Sequence, residues 1–417
     1  MDFSFIHAAD LHLGSPFAGM ASKDPILATR LASASREAME ELVLKAVENQ
    51  VQFVIIAGDL YDQDWKDTSI GHFFNRQMAR LERAGIPVYL LRGNHDADHV
   101  IVRASKMTLP ANVKVFSSLK VDRFEIPELR VVLHGRSFAE RATTENLAST
   151  YPVAEPGLFN IGVLHTSLDG REGHANYAPC TVTDLAQRGY HYWALGHVHG
   201  FEEITRDPYI VYPGNLQGRD VRECGAKGAV LVRVEGGEVA EVERLILDRI
   251  RWESLTADLT GFSTDEEIFA AVLASIHEAV TQTGSTPLVF RMTLHGSTSL
   301  HRKLLADLGA VAEEVMAAAG QVNEQTWLES VKIATSEPVL LHTPADTALA
   351  ALDLAAMLDP LLSSEAVMVE VRAALGQIRN RLPAMNIPEE TFSEAALDAL
   401  MQEARATLLV GTGKTRA

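Results

Sequence analysis

The sequence predicts an α/β fold, α+β over the whole chain, and three observations carry that expectation. Five apolar runs read as buried strands, and each breaks off at carboxylate, amide or imidazole residues. Two stretches between the first three runs carry apolar residues at helical spacing. Strand, helix, strand, helix, strand is the order of a unit with parallel strands, whose ligands gather at the carboxyl ends. The polar clusters fall at those ends.

The first run, Ser4-Phe5-Ile6-His7-Ala8-Ala9, ends in Asp10-Leu11-His12 and loosens into a loop. Residues 29–49 carry Leu31, Met39, Leu42, Val43 and Val47 at helical spacing and read as a crossover helix. The run Phe53-Val54-Ile55-Ile56-Ala57-Gly58 ends in Asp59-Leu60-Tyr61-Asp62. A second helix is expected over 68–84, with Phe73, Phe74, Met78 and Leu81 inward and Gly85 as its stop. Pro87-Val88-Tyr89-Leu90-Leu91-Arg92 then runs into Gly93-Asn94-His95-Asp96.

From residue 112 the pattern turns strand-rich, with strands expected at 113–116, 130–135 and 159–164, the last meeting His165. A short helix over 184–188, capped by Thr183, precedes Tyr192-Trp193-Ala194-Leu195 and Gly196-His197-Val198-His199. Closing strands follow at 209–215 and 228–234, and Gly236-Gly237 turns the chain into a strand over 239–247. Past Arg251, Thr264-Asp265-Glu266-Glu267 is a capping box opening a helix to about residue 283. A strand over 288–294, a helix over 300–319 and a strand over 327–333 make a small α+β domain. Beyond Pro344 the chain reads as helical, broken by Asp359-Pro360 and at 383–388. Its last helix bears Leu397, Leu400, Met401, Ala404 and Leu408 on one side. The expected division is therefore 1–250, 251–342 and 343–417.

At 417 residues with 47% apolar content the chain is expected to be globular, with two or three domains. No apolar run approaches the roughly 20 residues that span a bilayer, so no membrane association is expected. The first strand begins almost at once, leaving no room for a leader segment. Cys180 and Cys224 cannot make a disulfide framework, and a reducing cytoplasm is the simplest location. The net charge of −18 argues against gripping nucleic acid with the whole surface. The imbalance is uneven, because the residues after Ile250 include 22 acidic and 11 basic ones. The earlier part is closer to neutral and sets Arg92, Arg136, Arg171, Arg219 and Arg222 near the strand ends, so a locally basic site remains open.

The strand ends together supply Asp10, His12, Asp59, Asn94, His165, His197 and His199. Three oxygen donors and four imidazoles suit two hard or borderline divalent ions rather than one zinc in a thiolate cage. Asp59 is the natural bridging ligand, since it ends a central strand. Two such ions about 3.5–4 Å apart hold a bridging hydroxide and clamp a phosphate for in-line displacement. His95 is not needed as a ligand and suits a transition-state cation or an acid for the leaving oxygen, with Asp96 orienting it. A single Asp-x-His or His-x-His would be a surface loop. Five such sets at five strand ends are not accidental. His7, His134 and His191 lie inside or at the start of strands and read as structural. His99, His174 and His342 have no partner motif.

This ordered set resembles the calcineurin-like metallophosphoesterases over residues 1–235, and within them the bacterial DNA repair exonucleases of the SbcD and YhaO type. The stretch Tyr212-Pro213-Gly214-Asn215-Leu216-Gln217-Gly218-Arg219, with Glu223 and Gly225-Ala226-Lys227-Gly228, is similar to the YhaO branch. The resemblance implies one metal on Asp10, His12, Asp59 and His199, another on Asp59, Asn94, His165 and His197, and a catalytic His95. It implies two divalent ions, manganese foremost, in a β-sandwich flanked by helices. A small capping domain and a C-terminal helical segment that docks on an SMC-like ATPase would complete the chain. A second copy of the chain is a further candidate partner. Archaeal and eukaryotic relatives place a second catalytic His where this chain has Asp62. That leaves Asp62 and Arg219 as supporting or substrate-binding candidates.

Three functions compete on these residues. The first is a manganese-dependent DNA exonuclease working with an ATPase. The second is a phosphodiesterase or phosphatase on nucleotides or other phosphoesters, which the acidic charge favours. The third is a binding subunit with an architectural metal site, and the complete ligand set plus His95 argues against it.

Overall fold

Alternation along each central strand decides the layering of the first unit. In β2 (Phe53–Ala57), Phe53, Ile55 and Ala57 face one core while Val54 and Ile56 face another. In β8 (Tyr192–Gly196), Tyr192 and Ala194 share that first core, and Trp193 and Leu195 turn to a third. Strand side chains alternate with period two, so two sheets meet on a shared interior and each keeps an outer face to cover. The computed structural model describes residues 1–15, 25–62, 69–97, 108–169, 177–338, 360, 364–381 and 393–413.

The first sheet runs β12 (Glu238–Ile246), β11 (Gly228–Glu235), β1 (Phe3–Ala8), β2, β3 (Val88–Leu91), β4 (Val113–Val115). Strands β1 to β4 are parallel, and β11 is antiparallel to β1. The second sheet runs β5 (Asp122–Ile126), β6 (Val131–Gly135), β7 (Phe159–His165), β8, β10 (Tyr209–Tyr212), β9 (Glu202–Arg206). Here β6, β7, β8 and β10 are parallel and the two edge strands are antiparallel. The helices α1 (Pro25–Glu48) and α2 (Ser69–Arg83) share the outer core of the first sheet through Met39, Leu42, Phe74 and Met78. This is the β-sandwich flanked by helices that the resemblance implies.

The chain divides into two units, Met1–Glu253 with Thr283–Val289, and Ser254–Gln282 with Phe290–Ala417. The second unit contains most of a three-stranded sheet in the order β13 (Arg251–Asp258), β14 (Leu288–Ser297), β15 (Thr326–Ser336). Its helix α5 (Asp265–Thr283) opens on the expected capping box: Thr264 N donates to Glu267 Oε2 at 3.0 Å and Glu267 N to Thr264 Oγ1 at 3.3 Å.

Several elements differ from their expectation. The short helix α4 is Val182–Ala186 and its cap is Thr181, which accepts from Asp184 N while Asp184 accepts from Thr181 N. Thr183 therefore lies inside the helix. The single helix expected over 300–319 is two, α6 (His301–Ala306) and α7 (Leu308–Val322). Asp307 leaves the helical conformation between them and caps the second by accepting from Ala310 N. Strands β5, β9 and β13 were not expected. In β5 and β9 the reason is charged, half-exposed edge positions that hide the period. The helices α8 (Glu365–Arg381) and α9 (Glu394–Gly413) carry the described part of the tail. Within the second unit α9 packs against α6, with Leu397 buried and Leu400 exposed. The side chain of Leu408 lies outside the described residues, as do Arg171, His99, His174, His342 and 383–388. Among the described residues, no helix is long and apolar enough to cross a membrane.

Candidate metal centre

Three neighbouring strands of the first sheet and two of the second end at one place. Asp10 and His12 follow β1, Asp59 follows β2, and β3 leads into the one-turn helix α3 (Asn94–Ala97). His165 is the last residue of β7, and His197 and His199 follow β8. Backbone bonds lace the loops together: Asp10 N donates to Gly58 O at 3.0 Å and His12 N to Asp59 O at 3.0 Å. His197 N donates to the Asp10 carboxylate at 2.9 Å, which ties the two sheets at their ends. Asp10, His12, Asp59 and His197 all have positive φ, between 41° and 103°. Non-glycine residues hold that conformation at a cost, and such strain concentrates where side chains must be aimed.

Two groups of donor atoms contain only expected ligands: those of Asp10, His12 and His199 lie within 4.8 Å of one another, as do those of Asp59, His165 and His197. A third group, of His12, Asp62 and His95, shares His12 with the first. His12 Nε2 is 3.3 Å from His199 Nε2 and 4.0 Å from Asp59 Oδ2, and His165 Nε2 is 3.4 Å from that same oxygen. Asn94 Oδ1 lies 3.0 Å from His165 Nε2. Asp59 thus stands between the groups. All these residues except His199 are buried.

These residues fit a metal pair. The Ala57 carbonyl accepts from His165 Nδ1 at 2.9 Å, so its Nε2 faces two acceptor oxygens. Such a convergence calls for positive charge. Burial alone would depress His165, but Asp59 and Asp10 outweigh it and raise the ring to about 9. A divalent ion meets the same demand without the proton. On the other side Glu223 Oε1, an acceptor only, takes the His199 Nδ1 proton at 2.7 Å and leaves Nε2 to face His12.

His95 stands beside the groups, with Nδ1 3.0 Å from Asp62 Oδ1 and its backbone N donating to Asp59 Oδ1 at 2.9 Å. Burial lowers the affinity of His95 for a proton, yet the Asp62 contact and the Asp59 charge raise it above the ordinary imidazole value. The expectation that Asp96 orients His95 is corrected. The Asp96 carboxylate accepts from the backbone N–H of Leu60, Tyr61 and Gly93, each at 3.1 Å. It clasps the Asp59 loop to the Gly93 turn, because the first turn of α3 aims it back at those amides. Asp62 takes the orienting place. It also accepts from Ser15 Oγ at 2.6 Å and lies 3.5 Å from Arg219 Nη1.

Gly93 and Gly196 are required by closeness. A Cβ on Gly93 would lie 2.3 Å from Asp59 Oδ1, and one on Gly196 would lie 1.9 Å from Ala57 O. Sequence reasoning assigned no role to Glu223 or to Lys227, whose Nζ donates to the His199 carbonyl at 2.8 Å. The signal that could have found them was a dense polar stretch between two buried strands. His7 is structural: its Nε2 donates to Leu195 O and its Nδ1 accepts from Tyr192 Oη, both at 3.0 Å.

Donor groups on either side of Asp59, at the carboxyl ends of two packed sheets, could hold a pair of divalent ions. The chain belongs to the calcineurin-like metallophosphoesterases, hydrolases of phosphoester bonds that use a pair of divalent metals. Residues 3–201 match the calcineurin-like phosphoesterase family, and residues 252–336 match the middle domain of metallophosphoesterase YhaO. The chain is 34% identical over 300 residues to the uncharacterized metallophosphoesterase YhaO of Bacillus subtilis, covering 71% of this chain and 72% of that one. It is 24% identical over 295 residues to the DNA double-strand break repair protein Mre11 of Methanopyrus kandleri, covering 63% of this chain and 60% of that one. A dimetal phosphatase from Danio rerio superposes with a TM-score of 0.35 at 11% identity, covering 58% of this chain and 96% of that one.

Proposed function

We propose that this chain is a two-metal phosphodiesterase acting on DNA, the exonuclease subunit of a repair assembly with an SMC-like ATPase. The observation that carries the chemistry is Asp59 standing between the two donor groups with His95 and Asp62 alongside. The likeness to a DNA double-strand break repair protein supports DNA as the substrate. Asp10, His12, Asp59 and His199 would hold one ion, and Asp59, Asn94, His165 and His197 the other, with manganese the expected metal. Bound there, the ions supply Lewis-acid clamping of the phosphate and a water-derived nucleophile at neutral pH.

The protein's own part is charge placement. His95, whose proton affinity Asp62 raises, faces negative charge developing on the phosphate or gives a proton to the leaving oxygen. Arg219, anchored on Glu223, adds a second positive group beside Asp62. The partner site is assigned to the tail, where Leu400 is exposed on α9. The test is manganese-dependent cleavage of labelled duplex and single-stranded DNA beside a small chromogenic diester. Cleavage of both DNA and diester is expected. Hydrolysis of the diester without DNA would move the reading to a small phosphoester substrate, the alternative that the charge of −18 favours.

A further inference from the structure

The segment joining β10 to β11 contains none of the candidate ligands, yet it surrounds one of them. Asn215 N donates to the His199 carbonyl at 3.3 Å and Lys227 Nζ at 2.8 Å. Glu223 Oε1 accepts from His199 Nδ1 at 2.7 Å, and Asn215 Nδ2 holds Glu223 Oε2 at 2.8 Å. Arg219 donates to Glu223 from its backbone N at 2.8 Å and from Nη2 at 2.6 Å. Its Nη1 reaches to 3.5 Å from Asp62 Oδ2, and the other Asp62 oxygen is the one 3.0 Å from His95.

We propose that Glu223 is a positioning residue that sets the affinity of the metal position on the His199 side and links it, through Arg219 and Asp62, to His95. The proposal rests on the two-metal reading above. The two positions differ in what stands behind their histidines. His165 leans on a neutral carbonyl, that of Ala57, whereas His199 leans on a carboxylate. A carboxylate behind a ligating imidazole makes the ring a stronger donor and fixes its tautomer and orientation. The His199 position is therefore supported by the Glu223 charge. Arg219 shares that carboxylate, so the ring orientation of His199 and the place of the guanidinium beside Asp62 are set by one side chain.

The experiment is calorimetric titration of the metal-stripped full chain with Mn2+, for the wild type, Glu223→Gln and Arg219→Gln, with steady-state kinetics on a chromogenic diester. Glu223→Gln keeps the shape and removes the charge. It should weaken one of two binding events by about 10–100-fold and leave the other as in the wild type. Arg219→Gln leaves the Glu223 charge behind His199 in place and removes the guanidinium beside Asp62, so it should weaken the metal less than Glu223→Gln does and lower kcat with little change in KM. Wild-type affinities for both ions in Glu223→Gln would overturn the proposal, as would equal weakening of both with a lowered melting temperature. If the wild type itself takes up no pair of ions, the two-metal reading fails first and this inference with it.

Discussion

His95 Nδ1 lies 3.0 Å from Asp62 Oδ1, although the two residues are 33 positions apart, while Asp96, adjacent to His95, faces three backbone amides. His95 shares a donor group with His12 and Asp62, and the proposed function gives it the developing charge rather than the metal. His95→Ala should therefore keep its metal content and lose turnover by roughly 10²–10⁴-fold. Elemental analysis of the purified variant checks this, and a metal-free protein would make His95 a ligand.

Asp96→Ala should behave differently. Three buried N–H groups would lose their acceptor, at roughly 1–3 kcal/mol for a group left unpaired. The loss in urea unfolding should reach about 3 kcal/mol or more, with weaker metal uptake because the Gly93 turn is released. A wild-type unfolding midpoint would contradict the clasp.

Asp59→Asn should weaken both ions, since one Asp59 oxygen lies 4.0 Å from His12 and 3.4 Å from His165, one histidine of each ligand group. Gly93→Ala should reproduce much of this without altering any ligand, because its Cβ would meet Asp59 Oδ1 at 2.3 Å. Loss of one ion only in Asp59→Asn, seen by calorimetry, would contradict a bridging role.

Acid should destabilise the first unit through His7. Burial pushes this ring down to about 3, against the opposing hydrogen bond to the Leu195 carbonyl. The unfolded chain takes up the proton near 6.5 and the folded one does not. The stabilisation is thus complete above about pH 6.5 and is lost as pH falls toward 3, on the order of 5 kcal/mol in all. His7→Leu should be less stable at neutral pH, where two hydrogen bonds are gone, and should have a flatter acid limb between those values. Equal slopes for the two proteins would remove His7 from the account.

The tail stripe splits in two. Leu397 is 4% exposed and Leu400 is 43% exposed. Leu397→Ala should loosen α9 by about 2–3 kcal/mol, read as faster hydrogen exchange of its amides. Leu400→Glu should leave exchange unchanged and diminish co-purification with the proposed ATPase partner. Equal exchange in both variants would mean that the helix is not anchored by Leu397.

The sequence by itself determined the strand ends, the candidate ligands and the order of the first unit. Those features are local: apolar runs with period two, helices with period 3.6, and polar residues where the runs stop. It also determined the capping box before α5, because that motif is complete within four residues. Tertiary structure decided what depends on side-chain direction after a turn. Whether Asp62 or Asp96 meets His95 turns on the positive φ at Asp59 and on the first turn of α3, and neither is legible in residue order. The split of the expected 300–319 helix follows from the one residue, Asp307, that caps instead of continuing. The role of Glu223 became visible only when the segment between β10 and β11 was placed. Its partner His199 is 24 residues away, and no period or spacing relates that carboxylate to the imidazole.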